Sequence, residues 1–215
     1  METENTKIVF KVTMEDQEKI LQFTLKKFIK EGFYKTSMDE LARELSMSKK
    51  TIYKYFPSKE KLVEAVVEHL MFTISGEMDN IILQKHSAVI KITSMLRLLG
   101  SISMSLGDRW LSDMKLHAPH LWKRIEQFRV KKMNTNIKQL IEQGKNEGFF
   151  KDKPIEFIMP IFISAVSTIV TPDFLLNSNY SFKDAVEITF DILLNGILTE
   201  KGSKQFYNLK NGIDQ

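Results

Sequence analysis

Three serines, Ser37, Ser48 and Ser58, constrain the fold of this chain more than any other feature, because each stands where a helix must begin. Ser37 is followed three residues later by Glu40. That is the spacing of a capping box, in which hydroxyl and carboxylate satisfy amide donors left free at a helix start. Ser48 follows the tight connection Ser46-Met47 and caps a third helix. Pro57 cannot continue that helix, and Ser58 opens a fourth. Upstream, Ile20, Leu21, Phe23, Leu25 and Phe28 recur at helical spacing from Glu15 until Gly32 ends the run. Met38, Leu41, Ala42 and Leu45 give the second helix its apolar face, and Ile52 and Phe56 do the same for the third. Short helices joined by a few residues are the layout of a helix-turn-helix unit.

The rest of the chain continues the helical pattern. Nine Gly and five Pro stand against fifteen Phe and eleven Met, few breakers for a fold of many short strands. Helices are expected over 59–80, 87–105, about 108–116, 119–147, 154–170 and 181–200, with a polar, frayed tail beyond Gly202. The fold class is therefore all-α, with about nine helices in total. Residues 1–12 read as a flexible arm, 13–61 as the helix-turn-helix domain and 62–215 as a larger helical domain. A chain without Cys has no disulfide framework, thiolate zinc site or cysteine nucleophile. The N-terminus lacks the apolar core of a signal peptide. The most apolar stretch, 155–170, is interrupted by Glu156, Pro160 and Ser164 and is too short to span a bilayer. A soluble, cytoplasmic protein without a membrane partner is the expectation.

Charge is unevenly spread. The formal charge is +4, and between Ser46 and Lys61 five lysines (49, 50, 54, 59 and 61) face Glu60 alone, so this short segment carries the whole excess. Lys50 and Lys54 are one helical turn apart, where like charges repel by a few tenths of a kcal/mol. No carboxylate between Lys49 and Pro57 relieves them. Tyr53 and Tyr55 add hydroxyls suited to phosphate oxygens. The helix starts near Ser37 and Ser58 offer free amides to an anion. A helix of this kind is ready to meet a polyanion; the alternative is a solvated lysine face.

Residues 33–62, FYKTSMDELARELSMSKKTIYKYFPSKEKL, resemble the DNA-binding domain of the tetracycline-repressor (TetR) family of bacterial regulators. Thr36, Ser37, Leu41, Ala42, Ser48, Thr51, Tyr53, Tyr55, Phe56, Ser58, Lys59 and Glu60 sit in register with the family pattern. Two positions depart from it: Ser46 stands where the family has a turn glycine, and Lys50 where a small residue is common. The resemblance implies a homodimer that lays its third helices in the major groove of a palindromic duplex operator. Ser48, Lys49, Lys50 and Thr51 would then lie at base or groove edges, with Lys50 favouring guanine. Thr36, Ser37, Tyr53, Lys54, Tyr55 and Lys59 would position the backbone.

For the larger domain, the resemblance implies dimerisation through helices 155–170 and 182–198, both apolar on nearly every face. The alternative is that both are core helices of a monomer. It also implies a cavity for a small apolar or amphipathic effector. Candidate lining residues are Phe72, Met95, Met104, Trp110, Met114, His117, Trp122, Phe128 and Phe162, of which Trp110 and Met114 are favoured. Asp113, His117 and His120 have spacing that could align on one helical face, but Pro119 disturbs the helix where a metal would need it, so no metal or cofactor is assigned. Neither a glycine-rich phosphate loop nor a nucleophile–base pair is present, which argues against an all-α enzyme. The leading expectation is a ligand-released repressor; a constitutive or architectural DNA binder is the alternative.

Overall fold

A computed structural model describes residues 4–103 and 107–212. Among them are twelve α-helices, one π-helical turn and no strand. The chain divides into two compact units, one of residues 1–72 with 107–121 and one of 73–106 with 122–215.

In the first unit α1 (Glu4–Glu31), α2 (Met38–Glu44), α3 (Lys49–Tyr55) and the start of α4 (Lys59–Leu83) surround a core of Ile20, Phe28, Leu41, Ile52, Leu62 and Val66. Helix α1 begins at Glu4, so the segment expected as an arm up to Val12 is helical instead over residues 4–12. The apolar period that marks α1 in the sequence starts only after Glu15, which is why the earlier turns escape it. Helix α6 (Asp108–His117) also belongs to this unit and packs on α1. Its Trp110, Leu111 and Met114 are buried, and the Trp110 ring meets Phe33 edge-on at 5.7 Å. Gly32 ends α1 with φ +81°, and a Cβ there would stand 2.6 Å from Asp113 Oδ2. Both the backbone and the approach of α6 therefore require glycine.

The second unit is built around α5 (Ala88–Ser103), which packs against α8 (Lys138–Asn146), α11 (Phe182–Ile197) and α12 (Glu200–Lys210). Val89, Ile92, Met95, Leu140, Phe162, Phe190 and Leu194 are among its buried residues. The long helix expected over 119–147 is α7 (Pro119–Lys132) and α8, joined by a π-helical turn at Met133–Ile137. No Gly or Pro falls between Pro119 and Gly144, so no breaker in the sequence marks this turn. The short helix α10 (Pro172–Leu176) follows α9 (Ile155–Ile169). The tail expected to fray is helical as α12, anchored by buried Phe206 and Leu209 and capped by Thr199, whose hydroxyl accepts from Gly202 N–H. No helix of the described residues is long and apolar enough to cross a membrane.

Candidate nucleic-acid interface

The serines act as caps. Ser37 Oγ accepts the Glu40 N–H at 3.1 Å, and Ser48 Oγ accepts that of Thr51 at 3.0 Å. Ser58 Oγ accepts the Lys61 N–H at 3.2 Å. Substitution of such a cap by Ala costs about 1 kcal/mol. Between α2 and α3 the turn residue Ser46 adopts φ 54°, the left-handed conformation expected where the family has glycine. Without a glycine the turn carries roughly 1 kcal/mol of strain.

Glu40 does more than close its cap. Its carboxylate lies 2.8 Å from Lys27 Nζ, which also meets Glu31 and Glu44, each at 3.0 Å. The ammonium, 8% exposed, ties α1 to α2. Lys27 holds the Glu40 carboxyl below the usual carboxylate range, and the three carboxylates hold Lys27 well above the lysine range despite its burial.

The expected contact residues are not equally available. Lys50, Tyr53 and Lys54 are exposed on α3, and Lys54 Nζ lies 5.4 Å from the centre of the Tyr55 ring. Lys50 has no ion pair among the described residues. Lys49 pairs with Asp39 of α2 at 2.7 Å, which raises its pKa, so a carboxylate distant in sequence relieves the lysine cluster after all. The Ser48 and Thr51 hydroxyls bond each other at 2.7 Å. Tyr55 is half-buried, and burial with a bond to Asp16 raises its pKa. Thr36 does not present its hydroxyl to a duplex: it is buried, and Oγ1 donates to the Gly32 carbonyl at the end of α1. Lys59 Nζ donates to the Tyr34 carbonyl at 2.5 Å, and burial lowers its pKa against the opposing pull of Asp113 and Glu60. Its ammonium is spent on the α1–α2 turn as well as facing the surface.

That turn is held by residues the sequence reading placed elsewhere. Asp113 Oδ2 accepts both the Phe33 N–H at 2.6 Å and the Tyr34 N–H at 2.7 Å. The Tyr34 ring stacks on His117 with centroids 3.6 Å apart. Asp113 is thus an acceptor for backbone donors, and no group of three His, Cys, Asp or Glu among the described residues is placed to hold a metal.

The candidate effector residues are divided between the two units. Phe72, Trp110, Met114 and His117 fall in the first unit; Phe72 is 80% exposed, while Trp110 and Met114 are core. Met95 and Phe162 are core of the second unit. Trp122 and Phe128 are half-buried there, and the Arg129 guanidinium lies 5.1 Å from the centre of the Trp122 ring. Met104 lies outside the described residues. A cleft of about 330 Å³ opens instead between α5, α11 and α12, walled in part by Leu96, Arg97, Gly100, Lys183, Asp191 and Phe206. None of the candidates lines it.

Helices α9 and α11 each have one buried side and one exposed apolar side, rather than burial all round. Ile158, Met159, Phe162 and Val166 face inward on α9, while Phe157 and Ile161 are 71% and 59% exposed. On α11, Val186, Phe190 and Leu194 face inward and Ile188 and Ile192 outward.

Residues 20–66 match the family model described as bacterial regulatory proteins, tetR family. The chain is 25% identical over 177 residues to an HTH-type transcriptional regulator of Bacillus subtilis, YvaF, covering 81% of this chain and 92% of that one. It is also 25% identical over 189 residues to the nucleoid occlusion factor SlmA of Haemophilus influenzae, covering 84% and 87%. Among solved structures, a transcriptional regulator from Cytophaga hutchinsonii superposes with a TM-score of 0.64 at 22% identity, covering 86% of this chain and 99% of that one. A regulator from Saccharomonospora viridis in complex with choline gives 0.65 at 16% identity, covering 87% and 100%.

Proposed function

From the premise that this chain belongs to the TetR family of DNA-binding transcriptional regulators, and is no enzyme, we propose that it acts as a homodimer on a palindromic operator. Its reading helix is α3, with Lys50, Tyr53 and Lys54 as the free contacts and Lys49 at the groove edge. The exposed lysine–tyrosine face on a helix whose start is fixed by the Ser48 cap carries this reading. Phosphate neutralisation there makes affinity fall steeply with salt, by about 0.9 log units per log unit of salt for each phosphate contacted. Ser37 and the first turn of α4 would position the backbone, whereas Thr36 is spent inside the fold. The paired exposed residues Phe157 with Ile161 and Ile188 with Ile192 support dimerisation through α9 and α11. Burial of that apolar side against a second copy would form a four-helix bundle.

Repression relieved by a small amphipathic molecule is the corresponding regulatory reading. The cleft beside α5 is within the size range of small-molecule sites, ~300–1,000 Å³. A regulator of the same fold holds choline. A second reading, constitutive DNA binding without effector, draws on the similarity to a nucleoid occlusion factor and on the dispersal of the large apolar residues into two cores. Selection of bound duplexes from a random pool tests both. Enrichment of a two-fold symmetric sequence supports the regulator. Binding with less than ~10³-fold preference over random duplex favours the architectural reading. No binding at low salt refutes both.

A further inference from the structure

We propose that Asp39 withholds Lys49 from the phosphate backbone and so suppresses sequence-independent DNA binding, leaving Lys49 to the groove edge. The inference rests on the DNA-binding reading of α3. The two charges meet because caps fix both helix starts: Asp39 sits in the first turn of α2 behind Ser37, and Lys49 is the first residue of α3 behind Ser48. The ammonium–carboxylate distance is 2.7 Å. Lys49 at a helix N-terminus opposes the dipole, and α3 has no acidic residue in its own first turn to offset it. Asp39 supplies that missing charge from the neighbouring helix.

Stability does not account for the pair. The side chains are 50% and 71% exposed, and exposed pairs of this kind contribute little. What the pair does change is the count of free cations on the reading face. Lys50 remains available, while Lys49 is already neutralised and cannot release a DNA counterion without first losing Asp39. The penalty falls on contacts made by charge alone. A base-edge acceptor can bond Lys49 while Asp39 still holds it, because an ammonium has three donors.

The test is a two-by-two set, wild type, Asp39→Asn, Lys49→Gln and the double variant, titrated by fluorescence anisotropy onto a random-sequence duplex between 50 and 200 mM NaCl. Asp39→Asn is expected to steepen the log–log salt slope by about 0.9, roughly a threefold larger affinity loss across that range. Lys49→Gln is expected to leave the slope at the wild-type value, and the double variant to match Lys49→Gln. A slope already shallower in Lys49→Gln overturns the proposal, because Lys49 would then be on phosphate in the wild type. So does an equal steepening in the double variant, which would make Asp39 a general repulsive charge. Wild-type protein that ignores the duplex at 50 mM salt removes the DNA-binding reading itself, an outcome distinct from both.

Discussion

Asp113→Ala should uncouple α6 from the reader and destabilise the first unit by about 2–3 kcal/mol. The carboxylate oxygen accepts two backbone donors, from Phe33 and Tyr34, immediately after the glycine that ends α1. Phe33 is buried, so its N–H would be left without a partner at a cost of about 1–3 kcal/mol. Tyr34 is 56% exposed, and water can replace the second bond, adding only ~0.5 kcal/mol. Asp113→Asn keeps a neutral acceptor and should lose about half as much, since charge-assisted bonds are roughly twice as strong as neutral ones. Urea unfolding in a Trp122→Phe background isolates the signal of Trp110, which lies on the same helix, buried against Phe33. A midpoint for Asp113→Ala equivalent to less than ~0.5 kcal/mol of loss, on an unchanged slope, would refute the reasoning. Equal losses in the Ala and Asn variants would mean that a neutral acceptor contributes nothing at this position.

Three further outcomes follow from the geometry. Ser46→Gly should raise the melting temperature by relieving φ 54°, a gain of about 1 kcal/mol; a fall would show the left-handed residue to be unstrained. The Lys27–Glu40 contact makes stability pH-dependent: a carboxyl depressed in the fold contributes above its ordinary value of 4.5 and loses that contribution as pH falls through its folded value. Lys27, raised in the fold, keeps its share below its ordinary 10.5 and loses it only at higher pH. Melting curves of wild type should therefore drop on acidification below about pH 4.5, whereas Lys27→Met, with three carboxylates left facing one another, should be weaker at neutrality and fall less steeply in acid. Parallel pH profiles would dismiss the linkage. With wild type expected to sediment as the proposed dimer, Ile161→Glu combined with Ile192→Glu should give monomers at micromolar concentration and weaken operator binding by at least tenfold through loss of the second half-site. An unchanged dimer in the double variant would place the interface elsewhere.

The reader was legible because its signals are local. A cap acts over three residues and the 3.6-residue period over a single helix, so Ser37 and Ser48 could be read from the chain alone, whereas Ser46 was marked by the family resemblance. What escaped was every interaction that joins distant segments. Asp39 lies between the capping-box residues Ser37 and Glu40 and carries no signal of its own until α3 folds back to bring Lys49 against it. Asp113 and His117 read as possible metal ligands, yet their partners are backbone amides and a tyrosine ring some 80 residues earlier. Thr36 fits a family pattern that does not say which way its hydroxyl turns.

An effector site has no comparable local signal in a sequence. Methionines and aromatics fill cores as readily as they line cavities, and here Met95, Trp110, Met114 and Phe162 do the former. A cavity is set by the volume that side chains leave empty. The cleft beside α5 is lined in part by Gly100, a helical position where an added Cβ would meet nothing within 4 Å. Glycine inside a helix costs about 1 kcal/mol against alanine, and no close packing demands it here. An added Cβ there would stand in open space. A search of the sequence for bulky apolar residues passes over such a position.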